Sequence, residues 1–154
     1  MSDPISLKTA LEQRRTLQVT GQTLVLTNGH FDLLHVGHLD YLEKASTLGD
    51  VLFVAINNDA STRRLKGIGR PLVPAAQRAR LLAALEPVGA VLVFAGDTAE
   101  NVVRQLQPDI YVKGGDYANK PLPERATVEA YGGRVALIDY LPGHSTTRLI
   151  AKVR

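Results

Sequence analysis

The chain has 154 residues, enough for one domain that buries about two-thirds of its unfolded surface, and its 45% hydrophobic and 21% charged content excludes a disordered segment. It has no cysteine, which excludes disulfides, thiolate metal sites and cysteine nucleophiles and fits the cytoplasm. A net charge of +3 with only 5% aromatic residues argues against nucleic-acid binding, and no run reaches a membrane span or a signal-peptide core.

In chain order, Lys8–Arg15 reads as a short leading helix before the first strand-like run, Thr23–Thr27. A helix follows from near Val36, with Leu39, Leu42, Ala45 and Leu48 as its apolar stripe and Gly49 expected as a left-handed C-terminal residue. The second strand is Val51–Asn57, and beyond it the residues "RRLKGIGR" read as a basic, glycine-rich loop. Between Pro74 and Pro87 runs a helix with Leu81, Leu82 and Leu85 on its apolar face, then a third strand, Ala90–Ala95. "TAENVVRQLQP" offers Thr98 as N-cap and Pro108 as the stop. A fourth strand, Asp109–Gly114, a helix in "LPERATVEAYGG", a fifth strand, Arg134–Tyr140, and a helix in "STTRLIAKVR" complete the alternation.

Most of these strands are near-continuous runs of Val, Leu and Ile, the pattern of strands buried on both faces of a parallel sheet. Strand alternating with helix predicts an α/β fold in one domain over 1–154: a doubly wound, Rossmann-like sheet of five parallel strands with helices on both faces. Ligands bind such sheets beyond the C-terminal strand ends, where the strand order reverses. Four polar segments, "TNGHFDLLHVGH", "NNDAST", "AGDTAE" and "KGGDY", leave strands at that rim.

The first of these holds the densest chemistry. His35 and His38 lie three apart at a helix start, on one face of its first turn, with Gly37 between them. A helix N-terminus presents unpaired N–H groups and favours negative charge, so two imidazoles above it make a donor array for a polyphosphate. Neither common phosphate loop is present: GxxxxGK[ST] is absent, and "GIGRPL" fails GxGxxG at Leu72. A plain capping role for both histidines is the simpler alternative. A zinc site from His30, Asp32, His35 and His38 is another, although the spacing is not that of HExxH.

"TNGHFDLLHVGH", with its HxGH motif, and "GHSTTRLI" resemble the two signatures of the cytidylyltransferase-like nucleotidyltransferases. "NNDASTRRLKGIGRPLVPAAQR" and "YVKGGDY" resemble one branch, the heptose 1-phosphate adenylyltransferases, found alone or as half of a bifunctional kinase–adenylyltransferase. The likeness runs from about Leu24 to the C-terminus. It implies transfer of AMP from ATP to D-glycero-β-D-manno-heptose 1-phosphate with release of pyrophosphate, Mg²⁺ as cofactor, and a role in lipopolysaccharide or other surface-glycan precursor synthesis. Nucleotide and sugar phosphate are the implied partners, and a homodimer is the default among relatives. The alternative within the superfamily is a CTP-dependent cytidylyltransferase acting on glycerol 3-phosphate or a similar alcohol phosphate.

The resemblance also implies roles for residues. His35 and His38 would bond the nucleotide phosphates, and Asn28, Gly29 and Phe31 would hold the nucleotide against the first loop. Lys44 matches a helix lysine that reaches the phosphates in relatives, with a solvated helix lysine as the alternative. Lys66, with Arg63, Arg64 and Arg70, would close over substrate phosphates, and Arg78 would touch the triphosphate. Ser145, Thr146 and Thr147 would offer hydroxyls and N–H groups to a phosphate. Gly114 and Gly115 would let backbone approach the base, while Asp116 would bond a ribose or substrate hydroxyl. Asp32 would orient metal or sugar phosphate, or else only form a turn. His30 departs from the branch, where Cys or a small apolar residue is more usual, and reads as a packing variant.

Overall fold

The apolar runs become five strands: β1 (Leu24–Gly29), β2 (Val51–Asn57), β3 (Ala90–Phe94), β4 (Ile110–Gly114) and β5 (Arg134–Ile138). The helices are α1 (Leu7–Val19), α2 (Val36–Ser46), α3 (Asp59–Lys66), α4 (Ala75–Ala83), α5 (Glu100–Leu106), α6 (Arg125–Ala130) and α7 (Thr146–Val153), with a 3₁₀ turn at Gly115–Asn119. The computed structural model describes residues 3–153. All strand pairs are parallel, in the order β3-β2-β1-β4-β5. The chain therefore lays strands outward from β1 on one side, then returns to place β4 on the other. That reversal between β1 and β4 opens a crevice at their C-terminal ends.

Burial follows the two-residue period of the strands. Leu24, Leu26, Phe53, Ala55, Leu92 and Tyr111 face one side, packed with Ala10 and Leu17 of α1, Val102, Val103 and Leu106 of α5, and Val128 of α6. Val25, Leu52, Val54, Ile56, Val91 and Val112 face the other, against Tyr41, Leu42 and Ala45 of α2 and Ala79 and Leu82 of α4. Each fully buried side chain of this size contributes about 1.5–3 kcal/mol, so the double cover explains the continuous apolar runs.

Several local expectations are corrected. The leading helix is longer than Lys8–Arg15, because Ser6 caps it by accepting from the Thr9 N–H. Arg14 then ties it to the end of α5: its guanidinium donates to the Leu106 and Gln107 carbonyls and pairs with Asp109. The stretch beyond β2 is not all loop, since Asn58 accepts from the Ser61 N–H and starts α3, which carries Arg63, Arg64 and Lys66. Leu81 points outward while Leu82 is buried. Gly49 is not left-handed; a side chain there would meet Val25 and Thr23 at 2.7–2.9 Å, so close packing explains it. The residue capping α5 is Ala99, not Thr98, and its N–H is taken by the Glu124 carboxylate at 3.0 Å.

Candidate functional site

At the β1–β4 crevice lies a cavity of about 600 Å³ that opens across both faces of the sheet. Its α2 side begins with the backbone of His35 and His38. The His35 Nδ1 accepts the Gly37 N–H at 3.1 Å, and the His38 Nδ1 accepts the His35 N–H at 3.3 Å. The two rings stack with centroids 3.9 Å apart, and Phe31 lies against His38 at 5.2 Å. A nitrogen that accepts carries no proton, so each neutral ring bears its proton on Nε2. The His35 Nε2 is buried and has no hydrogen-bond partner among the described residues. Capping and ligand binding are thus not rival roles: one nitrogen of each ring caps, both rings belong to residues that line the cavity, and the second nitrogen of His35 is left without a partner among the described residues.

Electrostatics keep these rings neutral. Burial, with His35 beside it, lowers the His38 pKa to about 4. Burial and then His144 lower that of His35. Gly37 is needed because a side chain there would sit 2.9 Å from the His35 ring and 3.0 Å from the His144 Cβ. His144, which sequence reading passed over, brings a third imidazole to this wall. Beside it begins α7, where the Ser145 hydroxyl accepts the Arg148 N–H and the Thr146 hydroxyl donates to the Leu33 carbonyl. Ser145, Thr146 and Thr147 all line the cavity.

Between the two sides, Asn28, Gly29, Phe31 and Lys113 form the floor. Lys113, whose pKa burial lowers, donates to the Asn28 carbonyl at 3.1 Å, and the Tyr111 hydroxyl donates to the Asn28 side chain. Lys66 and Asp116 also reach the cavity, the latter paired with Lys120 at 2.9 Å. The zinc alternative finds no support: among the described residues no group of three or more His, Asp or Glu could hold a metal ion.

The model of the family described as Cytidylyltransferase-like matches residues 26–151, most of the chain. The chain belongs to the cytidylyltransferase-like family. Bifunctional protein HldE of Geotalea uraniireducens is 53% identical over 134 residues, covering 87% of this chain and 27% of that protein. Bifunctional protein HldE of Syntrophotalea carbinolica is 51% identical over 148 residues, covering 96% and 30%. The chain thus spans less than a third of the length of these curated relatives. A crystal structure of the lipopolysaccharide core biosynthesis protein from Thermoplasma volcanium superposes with a TM-score of 0.64 at 27% identity, covering 79% of this chain and 98% of that one. Both the doubly wound fold and the nucleotidyltransferase resemblance therefore hold at the level of the family.

Within this cytidylyltransferase-like site, some expected residues stand elsewhere. Lys44 lies near the far end of α2, more than one and a half turns from His38, and pairs with Asp40 at 2.9 Å, outside the cavity lining. Arg78 is fully buried and also outside it: its guanidinium donates to the Val73 and His30 carbonyls and to Asp59. It braces α4 against the first loop. Of the other expected basic residues, Arg64 pairs with Asp97 at the rim, and Arg63 does not line the cavity. Arg70 pairs with Asp32 at 2.6 Å. Asp32 itself accepts the N–H groups of Leu72 and Val73; burial pushes its pKa up, but these donors and Arg70 outweigh that and hold it below the usual carboxylate range. It anchors the loop, and both Asp32 and Arg70 line the cavity. Gly114 and Gly115 are pressed by Tyr140 and Asp139 and do not line the cavity, so the close approach there is within the protein. His30 bonds Thr62 at 2.9 Å, and its pKa falls to about 4 through burial and nearby Lys66 and Arg78. It packs as expected, yet its ring also faces the cavity.

Proposed function

We propose that the chain, from its leading helix to α7, works as one nucleotidyltransferase domain that transfers AMP from ATP to D-glycero-β-D-manno-heptose 1-phosphate, giving ADP-heptose and pyrophosphate. The observation that carries this reading is the orphaned Nε2 of His35, buried beside the stacked His38 where α2 begins. A buried donor without a partner is costly unless a ligand completes it, and a phosphate oxygen is the acceptor that this helix end and these rings suit. The high identity to bifunctional HldE proteins supports ATP and a heptose phosphate over CTP and an alcohol phosphate.

In this reading the sugar 1-phosphate oxygen attacks the α-phosphorus in line as the bond to pyrophosphate breaks. The protein needs no nucleophile of its own; it holds the reactants and offsets charge. The Nε2–H groups of His35 and His38 donate to the phosphate oxygens on which charge grows. Lys66, at the end of α3, and the Ser145–Thr147 turn grip the rest of the polyphosphate. Because both rings are neutral, they donate hydrogen bonds without giving up a proton to the leaving group. The residues fit a Mg²⁺ ion carried on the phosphates: the cavity has carboxylates at its mouth, with Asp116 half exposed, but among the described residues no protein cage. Bound there, Mg²⁺ would screen the phosphates and polarise the leaving group. The reading also places the chain in the cytoplasm, as a homodimer, in surface-glycan precursor synthesis.

A pyrophosphate-release assay crossing ATP and CTP with heptose 1-phosphate and glycerol 3-phosphate tests this. Turnover with ATP and heptose 1-phosphate alone is expected; turnover only with CTP overturns the substrate assignment.

A further inference from the structure

The α2 side of the cavity carries the phosphate-binding imidazoles and the α7 turn, but the opposite side has a different chemistry. There, where α5 and α6 begin, the lining is Asp97, Thr98, Tyr117, Lys120 and Glu124, with Lys113 at its base. Glu124 is 4% exposed. Its Oε1 accepts the Ala99 N–H at 3.0 Å, whereas its Oε2 is buried without a partner among the described residues. The Tyr111 hydroxyl beside it donates to the Asn28 side chain, and Lys113, whose Nζ donates to the Asn28 carbonyl, lies close enough for its charge to offset that of Glu124. One carboxylate oxygen of a residue that lines the cavity is thus buried without a partner among the described residues.

We infer that Glu124 is a specificity-determining residue whose Oε2 accepts a hydrogen bond from a hydroxyl of the acceptor sugar phosphate. This rests on the adenylyltransferase reading: with the nucleotide phosphates on the imidazole side, the second reactant takes the α5/α6 side. A carboxylate can only accept, so its complement is a hydroxyl donor or a cation. Lys113 and Lys120 already bring positive charge to this side, which favours the hydroxyl over a further cation. The same two lysines suit the acceptor's phosphate, and the Tyr117 ring beneath both ammonium groups fixes their positions. A sugar bearing several hydroxyls and one phosphate matches a carboxylate flanked by lysines; an unsubstituted alcohol phosphate leaves the carboxylate unpaired.

The test is steady-state kinetics with Glu124→Gln, which retains an oxygen for the Ala99 N–H while losing the charge. The KM for heptose 1-phosphate is expected to rise roughly ten- to hundredfold, the range of a charge-assisted hydrogen bond, with the KM for ATP within about twofold. An unchanged acceptor KM overturns the inference and leaves the adenylyltransferase reading intact. So does a change in Mg²⁺ dependence without one in acceptor KM, since that makes Glu124 a cation site. Independently of the variant's folding, wild-type protein is assayed with monodeoxy analogues of the sugar phosphate. At least one analogue is expected to lose tenfold or more in kcat/KM; if none does, the inference fails. No pyrophosphate from wild-type protein with any sugar phosphate would overturn the functional reading and this inference together.

Discussion

The division of labour within the His38 ring can be separated by two substitutions. In His38→Ala the ring vanishes, and with it the Nδ1 that accepts the His35 N–H, the stack on His35, and the Nε2 donor. The lost cap and packing together cost about 2 kcal/mol, which in a chain of this size lowers Tm by about 4–8 °C. In His38→Asn the side-chain oxygen stands near where Nδ1 was, so the cap survives and the stability cost is about half. Neither residue reaches the phosphate. Removing one preorganised donor to a charged transition state costs about 3 kcal/mol, on the order of a hundredfold in rate. Both variants are therefore expected to lose about a hundredfold in kcat for pyrophosphate release while differing in melting temperature. If His38→Asn keeps kcat within about fivefold of wild type while His38→Ala does not, rate follows the cap, and the assignment of a phosphate-binding role to this ring is refuted.

Three further outcomes follow from the geometry. The folded-state pKa values of His30 and His38 lie near 4 against the ordinary 6.5, so between those limits the unfolded chain binds more protons and stability falls as pH drops below about 6.5. At pH 5 the loss is about 1 kcal/mol per ring after allowing for partial exposure, and urea melts from pH 8 to 5 that show no decline would contradict these burials. Arg78→Met leaves the Val73 and His30 carbonyls unpaired in the interior, which costs about 3 kcal/mol, a Tm lower by about 6–12 °C in differential scanning calorimetry. Lys44→Ala, outside the cavity and paired with Asp40, is expected to keep kcat and both KM values within about twofold; a tenfold loss would restore it to the site.

What could be read from the sequence depended on whether the signal was local. The five strands were legible because burial on both faces leaves continuous Val, Leu and Ile runs, and β2 came out to the residue. The crevice followed from topology, since any strand end at the reversal must point there. Helix α3 was missed because "DASTRRLK" has no apolar stripe: Ser61 and Thr62 are its buried residues, and the signs it offered were at its ends, the Asn58 cap with Asp59 in the first turn and Arg63, Arg64 and Lys66 before Gly67. The partners of Arg78 and Asp32, two carbonyls, Asp59, two N–H groups and Arg70, were not legible because they are set by tertiary approach. Glu124 was not singled out: nothing local in "LPERA" marks it, and the packing of α6 beside α5 buries it. The histidine pair was legible as a site, with capping as the alternative; that both rings cap through Nδ1 while Nε2 stays off the backbone was not, since ring orientation decides which nitrogen bonds backbone.

The central claim is that two neutral imidazoles, each capped through Nδ1, present Nε2–H to a polyphosphate. Long-range proton–nitrogen correlation spectra of the labelled protein at pH 7, with and without a non-hydrolysable ATP analogue, address it directly. Both rings are expected as Nε2–H tautomers in the free protein, with the analogue shifting the Nε2 signals and leaving Nδ1 nearly unmoved. Charged rings, the Nδ1–H tautomer, or Nε2 signals indifferent to saturating nucleotide would contradict it.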